Sequence, residues 1–197
     1  MKKASKKEPI VLPSSKEIAQ AYREEKYKRN FLSTIKSTIF MLIVVAAVAV
    51  LVAVLYLPIL RIYGQSMKGS LDNGDIVVSV KGSSFRQGDI VAFYYNNNIL
   101  VKRVIAYSGQ WVDMDEEGNV YVNDQLLDEP YIKDKDFGET NIDLPYQVPD
   151  GRLFVMGDNR KSSIDSRNTT IGTIAEEQIV GKLVFKVWPM SDFGLLE

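Results

Sequence analysis

DIVAFYYNNNILVKRVIAY, residues 89–107, decides the architecture. Two runs rich in Val, Ile, Tyr and Phe flank three asparagines, a residue type that tolerates the positive φ of a tight turn. β-branched and aromatic side chains suit a half-buried pleated surface, so the stretch reads as a hairpin with strands at 89–95 and 99–107. Similar short runs lie on either side, at 75–80, 110–114, 119–122, 152–156 and 179–187, punctuated by Asp72-Asn73-Gly74-Asp75, Gln87-Gly88-Asp89 and Glu117-Gly118-Asn119. The expected fold is mainly β, an antiparallel sheet with few helices. Residues 123–150 are richer in charge and lack periodicity, and a small insert or cap is expected at about 111–150.

Before the strands, IFMLIVVAAVAVLVAVLYLPIL at residues 39–60 runs without a charge. That is long enough to cross a hydrocarbon core of about 30 Å as a helix. A cleaved secretory signal has a shorter apolar stretch of about 7–15 residues and a small-x-small cut site. This one ends Leu57-Pro58-Ile59-Leu60-Arg61, which favours a retained anchor. Lys26, Lys28, Arg29 and Lys36 precede it and only Arg61 closely follows, so the positive-inside rule puts the N-terminus in the cytoplasm. The expected organisation is a cytoplasmic basic segment at 1–36, a transmembrane helix at 37–60 and an extracytoplasmic β-rich domain at 61–197, in the cell membrane. The outer segment holds fourteen Lys/Arg against twenty-one Asp/Glu, which argues against nucleic acid as a partner, since phosphate binding needs a basic surface.

The chain has no cysteine and no histidine. Disulfides, thiolate nucleophiles, Cys-ligated metals and any Ser-His-Asp arrangement are thereby excluded, and a general base must be Lys, Asp, Glu or Tyr. Ser66, in Tyr63-Gly64-Gln65-Ser66-Met67, is one candidate nucleophile; taken alone it is equally a polar residue in a juxtamembrane loop. Gly64 allows close backbone approach or an unusual φ. Lys102 lies within the apolar strand Ile99–Ile105, where alternation sends it and Arg103 to opposite faces. It is either solvent-exposed or held among apolar side chains, and burial would draw its pKa down from about 10.4 toward a useful general base. Gly157-Asp158-Asn159-Arg160-Lys161-Ser162-Ser163-Ile164-Asp165-Ser166-Arg167 is either a polar surface loop or a rigid frame, its carboxylates and arginines forming a bidentate network.

Three blocks in this order resemble bacterial type I signal peptidases of the Gram-positive form. Ser66-Met67 is similar to the family's nucleophile block, Leu100-Val101-Lys102-Arg103-Val104-Ile105 to its lysine block, and Val155–Arg160 with Asp165-Ser166-Arg167 to its most distinctive block; Gly88–Val91 and Ile179–Lys182 fit as well. The resemblance implies a Ser-Lys endopeptidase that removes N-terminal signal peptides from exported preproteins, with Ser66 as nucleophile and Lys102 as general base. It implies that Ser163 orients the lysine, that Asp158, Arg160, Asp165 and Arg167 form an ion-pair network, and that the Ser66 backbone N–H helps hold the oxyanion. No cofactor or metal is implied. Substrate would lie extended along Ile62, Tyr63, Gly64, Gln65 and Met67 on one side and Leu100 and Val101 on the other, with small side chains in shallow pockets. The implied partners are preproteins, the lipid bilayer and, as a further candidate, the secretion translocon.

Two departures stand out. Lys68-Gly69-Ser70-Leu71 replaces the family's x-Pro-Thr-Leu, and Ala106–Gln110 replaces Gly-x-Pro-Gly-Asp. They bear on loop geometry and substrate preference and leave room for an alternative, a non-cleaving relative that binds exported precursors such as pilin subunits. Asp113-x-Asp115-x-Glu117-Gly118 mimics the start of a calcium loop, but the spacing fits a hairpin turn better, and Trp188-Pro189 is expected to serve packing.

Overall fold

The computed structural model describes residues 14–82 and 84–196, which fall into two units divided after Val52. The first thirteen residues of the basic segment expected at 1–36 lie outside the described residues.

The helix α1 spans Ser15–Tyr56, a longer element than the span expected at 37–60. Its start is set by Ser14-Ser15-Lys16-Glu17. Glu17 Oε2 accepts the Ser14 backbone N–H at 2.7 Å and Ser14 Oγ accepts the Glu17 N–H at 3.4 Å, a reciprocal cap. The Glu, Lys, Ala, Gln and Arg residues that follow are good helix formers, so the helix extends through the polar stretch. Its 42 residues correspond to about 63 Å. The helix holds a segment apolar and long enough to cross a membrane. It does not reach residue 60. Pro58 lacks an N–H and disfavours the α conformation at Leu57, and the chain continues as strand β1, Ile59–Arg61.

The strands that follow are β2 (Ile76–Val80), β3 (Ile90–Tyr95), β4 (Asn98–Tyr107), β5 (Trp111–Met114), β6 (Val120–Val122), β7 (Gln125–Leu126), β8 (Tyr146–Gln147), β9 (Arg152–Met156), β10 (Ile174–Ala175), β11 (Ile179–Trp188) and β12 (Gly194–Leu195). A large antiparallel sheet runs β1-β2-β11-β3-β4-β9-β10, with β12 on β11, and a small one runs β7-β6-β5-β8. The fold is mainly β. The hairpin quoted above closes on Asn96 and Asn97 at φ 44° and 63°, with Tyr95 opposite Asn98, the paired left-handed residues that match strand twist.

Alternation along β3 places apolar residues on both faces. Ile90 and Ala92 join a core with Met67, Leu71, Val77 and Leu183, while Val91 and Phe93 join another with Val104, Leu153, Val155 and Ile174. A third core, around Ile105, Val112, Val122, Phe154 and Met156, seats the small sheet on the large one. The calcium-like segment is the β5–β6 turn, where the Asp115 carboxylate accepts the Asn119 and Glu117 backbone N–H groups at 2.8 and 3.1 Å. Trp188 departs from the packing expected of it: the last residue of β11 is 53% exposed.

Candidate active site

Ser66 sits on a short turn. Met67 and Leu71, both fully buried or nearly so, anchor the turn, and the Leu71 N–H bonds the Met67 carbonyl at 2.8 Å, leaving Ser66 half-exposed between the core and solvent. The approach to it passes Gly64 at φ +92°, a conformation that favours glycine. From the β9–β10 loop the Asn159 N–H donates to the Ser66 carbonyl at 3.0 Å, and its side-chain amide donates to the Gln65 carbonyl at 3.1 Å. Among the described residues the Ser66 backbone N–H meets no acceptor.

Lys102 lies on β4 opposite Val91 and is 4% exposed. The solvent-exposed alternative left open by the sequence is thereby removed. Its amine donates to Ser163 Oγ at 3.0 Å. Burial draws the Lys102 pKa down to about 8; the carboxylates of Asp165 and Asp158 oppose this and the Arg167 charge assists it. The amine is bonded to Ser163 and not to Ser66, yet Ser66 and Lys102 line the same cleft.

That cleft, of about 110 Å³, is bordered by Ile62, Tyr63, Gly64 and Met67 on one side and Leu100 and Val101 on the other. Gln65, expected beside them, is not part of its lining; its carbonyl is taken up by Asn159 and by the Lys68 N–H at 3.1 Å. β9 pairs with β4 only from Arg103 onward, so among the described residues one edge of Ile99–Lys102 has no strand neighbour, and β1 ends the sheet.

The loop frame is less self-contained than its sequence suggests. Asp165 and Arg167 do pair within it, at 2.8 and 2.9 Å, and Asp165 also accepts the Gly157 N–H at 3.0 Å. Burial works against the Asp165 carboxylate, but these bonds and the Arg167 charge hold its pKa below the ordinary value. Asp158 instead pairs across to Arg103, bidentate at 2.9 and 2.8 Å, and Arg160 pairs with Glu129. The Arg103 guanidinium lies 3.7 Å from the centre of the Tyr131 ring, and Arg167 Nη1 donates to the Phe137 carbonyl at 2.8 Å. All three buried arginines are thus held in part by residues 129–137.

Arg103, Glu129, Tyr131, Gly157 and Asn159 carry no assigned role in the sequence reading. Glu129 and Tyr131 lie in an aperiodic stretch where nothing local marks a long-range partner. Gly157 is needed for closeness, since a Cβ there would meet Ser163 Oγ at 2.2 Å and the Ser66 carbonyl at 2.5 Å.

The class this fold and site define is a mainly β domain that follows a helix with an apolar segment of membrane-spanning length, with a half-exposed serine and a buried lysine lining one cleft. The sequence profile described as "Signal peptidase, peptidase S26" matches residues 33–188. Signal peptidase IB of Staphylococcus aureus (strain COL) is 38% identical over 152 residues, 67% of this chain and 78% of that protein. The chloroplastic thylakoidal processing peptidase 1 of Arabidopsis thaliana is 36% identical over 143 residues, 64% of this chain; the match spans only 40% of the plant protein's length. The crystal structure of a signal peptidase I from Enterococcus faecalis aligns with a TM-score of 0.44 and 27% identity, covering 51% of this chain and 97% of that one. The chain belongs to the signal peptidase family, peptidase S26, a family that acts on preproteins bearing signal peptides.

Proposed function

We propose that this peptidase removes N-terminal signal peptides from exported preproteins, with Ser66 as nucleophile and Lys102 as general base. The observation that carries the reading is Lys102: a lysine 4% exposed, with a pKa drawn down to about 8, shares one cleft with a half-exposed serine. In its neutral form the amine takes the Ser66 hydroxyl proton as Oγ attacks the scissile carbonyl, and returns a proton to the leaving amine. Ser163 holds the amine in place. The free Ser66 N–H is available to the developing oxyanion. The Asp158–Arg103 and Asp165–Arg167 pairs fix the loop that carries Ser163.

Substrate enters extended and pairs with the open edges of β1 and of Ile99–Lys102. The shallow apolar cleft takes the small side chains that precede the cut. The basic residues before the apolar segment support a cytoplasmic N-terminus and an extracytoplasmic domain. The exposed Trp188, Met190, Phe193 and Leu195 suit contact with the lipid bilayer. The secretion translocon, which presents the precursors, is a further partner in this reading.

The test is cleavage of a detergent-solubilised preprotein with an Ala-x-Ala site by wild type, Ser66→Ala and Lys102→Ala, read by mass. Cutting after the second Ala by the wild type alone is the expected result. Binding by all three with no cleavage would replace the proposal with that of a precursor-binding factor.

A further inference from the structure

A second depression, of about 420 Å³, is lined in part by residues that follow Ser66 in the chain. The first cleft is lined by the residues that lead into Ser66, Leu60 through Gly64. The second is lined by those that leave it, Lys68 and Gly69, and by Asn159, which holds the Ser66 carbonyl. Ser66 lines the more apolar cleft, and the lining of the polar one begins two residues further on, at Lys68. A peptide laid across Ser66 with its small residues in the first cleft continues, past the cut bond, over the second.

The chemistry of the second depression differs from that of the loop frame behind it. Asp158 in its wall is committed to Arg103. Lys68, Asp72, Lys133 and Asp134 also line it; all four are exposed, and none forms an ion pair among the described residues. Two uncommitted charges of each sign around one concavity offer little to an apolar segment. They do offer partners to a hydrophilic one: the ammonium groups to Asp or Glu, the carboxylates to Lys or Arg.

We infer that this pocket receives the first residues of the mature chain, on the leaving side of the cut, and that it selects charged, hydrophilic segments over apolar ones. Lys68 and Lys133 favour acidic side chains there, and Asp72 and Asp134 favour basic ones. The inference rests on the proposed role of Ser66. It adds a specificity determinant outside the cleft that takes the small residues.

The experiment uses full-length protein in detergent and peptides identical through the cut site but carrying Glu, Lys or Leu at the second and third positions after it. The wild type is expected to cut the Glu and Lys peptides with higher kcat/KM than the Leu peptide. Lys68→Ser/Lys133→Ser should lower the Glu-to-Lys ratio of kcat/KM about three- to tenfold, as expected for exposed charge pairs. Asp72→Ser/Asp134→Ser should move it the other way, and 0.5 M salt should flatten both effects. The same ratio within twofold in all three proteins overturns the inference. If the wild type cuts nothing, or Ser66→Ala still cuts, the nucleophile assignment fails separately. The pocket is then judged by anisotropy with the same labelled peptides on Ser66→Ala and on each lysine or aspartate pair combined with it: a shift in the ratio of Kd upholds it, and an unchanged ratio sinks it.

Discussion

Lys102 Nζ donates to Ser163 Oγ at 3.0 Å, a bond between two side chains sixty-one residues apart and both buried. One comes from a strand at the centre of the large sheet and the other from the β9–β10 loop. Ser163→Ala leaves the amine without this partner and free to turn from Ser66. Loss of such a bond to a charged or ionisable group is worth about 1.5–3 kcal/mol, so kcat should fall roughly 10–100-fold with KM little changed. Steady-state kinetics on a peptide substrate reads the split, and Ser163→Thr should recover part of kcat.

Burial of Lys102 sets the pH dependence. Activity needs the neutral amine, and with a pKa of about 8 kcat/KM should rise with pH, about tenfold per unit below 8, and level off above. A profile flat from pH 6 to 10 would remove Lys102 as the base.

The same lowered pKa predicts a pH-dependent stability. Between about 8 and the unfolded value near 10.4 the unfolded chain binds a proton that the folded chain does not, so stability increases with pH through that window. The burial penalty is fully present below pH 8. Relative to Lys102→Met, the wild type should gain about 3 kcal/mol between pH 7 and 10.5, read from denaturation midpoints of the two proteins at each pH.

Gly157 tests the close contact between the two serine-bearing segments. In Gly157→Ala the new Cβ would sit 2.2 Å from Ser163 Oγ and 2.5 Å from the Ser66 carbonyl, so one or both must shift. A cost of about 1–3 kcal/mol in stability and a loss of activity larger than that of Ser163→Ala are expected. Adding Ser163→Gly should not restore activity, because the Ser66 carbonyl is backbone. A melting curve and an activity assay on the single and double variants check both points.

Glu129 anchors the aperiodic segment to the site through Arg160, with both side chains fully buried. Glu129→Ala leaves a buried guanidinium without its carboxylate and should cost about 3–5 kcal/mol. Replacing both partners, Glu129→Leu with Arg160→Met, should recover most of that stability. Thermal midpoints of the three proteins decide it.

Local chemistry alone determined much of this protein. Period-two runs and turn residues foretell the strands, since alternation and positive φ are properties of a few neighbouring residues, and the Asn96-Asn97 turn is one case. An uncharged run of membrane length foretells an apolar helix, and the absence of histidine and cysteine restricts the base. What lay beyond reach depends on distant partners. The two-residue strands β7, β8, β10 and β12 exist because a neighbouring strand accepts them, not because of their own propensity. Arg103 and Lys102 are adjacent and look alike as cations, but only the packed fold gives Arg103 a carboxylate, Asp158, while the Lys102 amine rests against the hydroxyl of Ser163. Glu129 and Tyr131 reach the site for the same reason. Desolvation, which turns a common lysine into a base, is a property of everything packed around it, and no window of the sequence contains that.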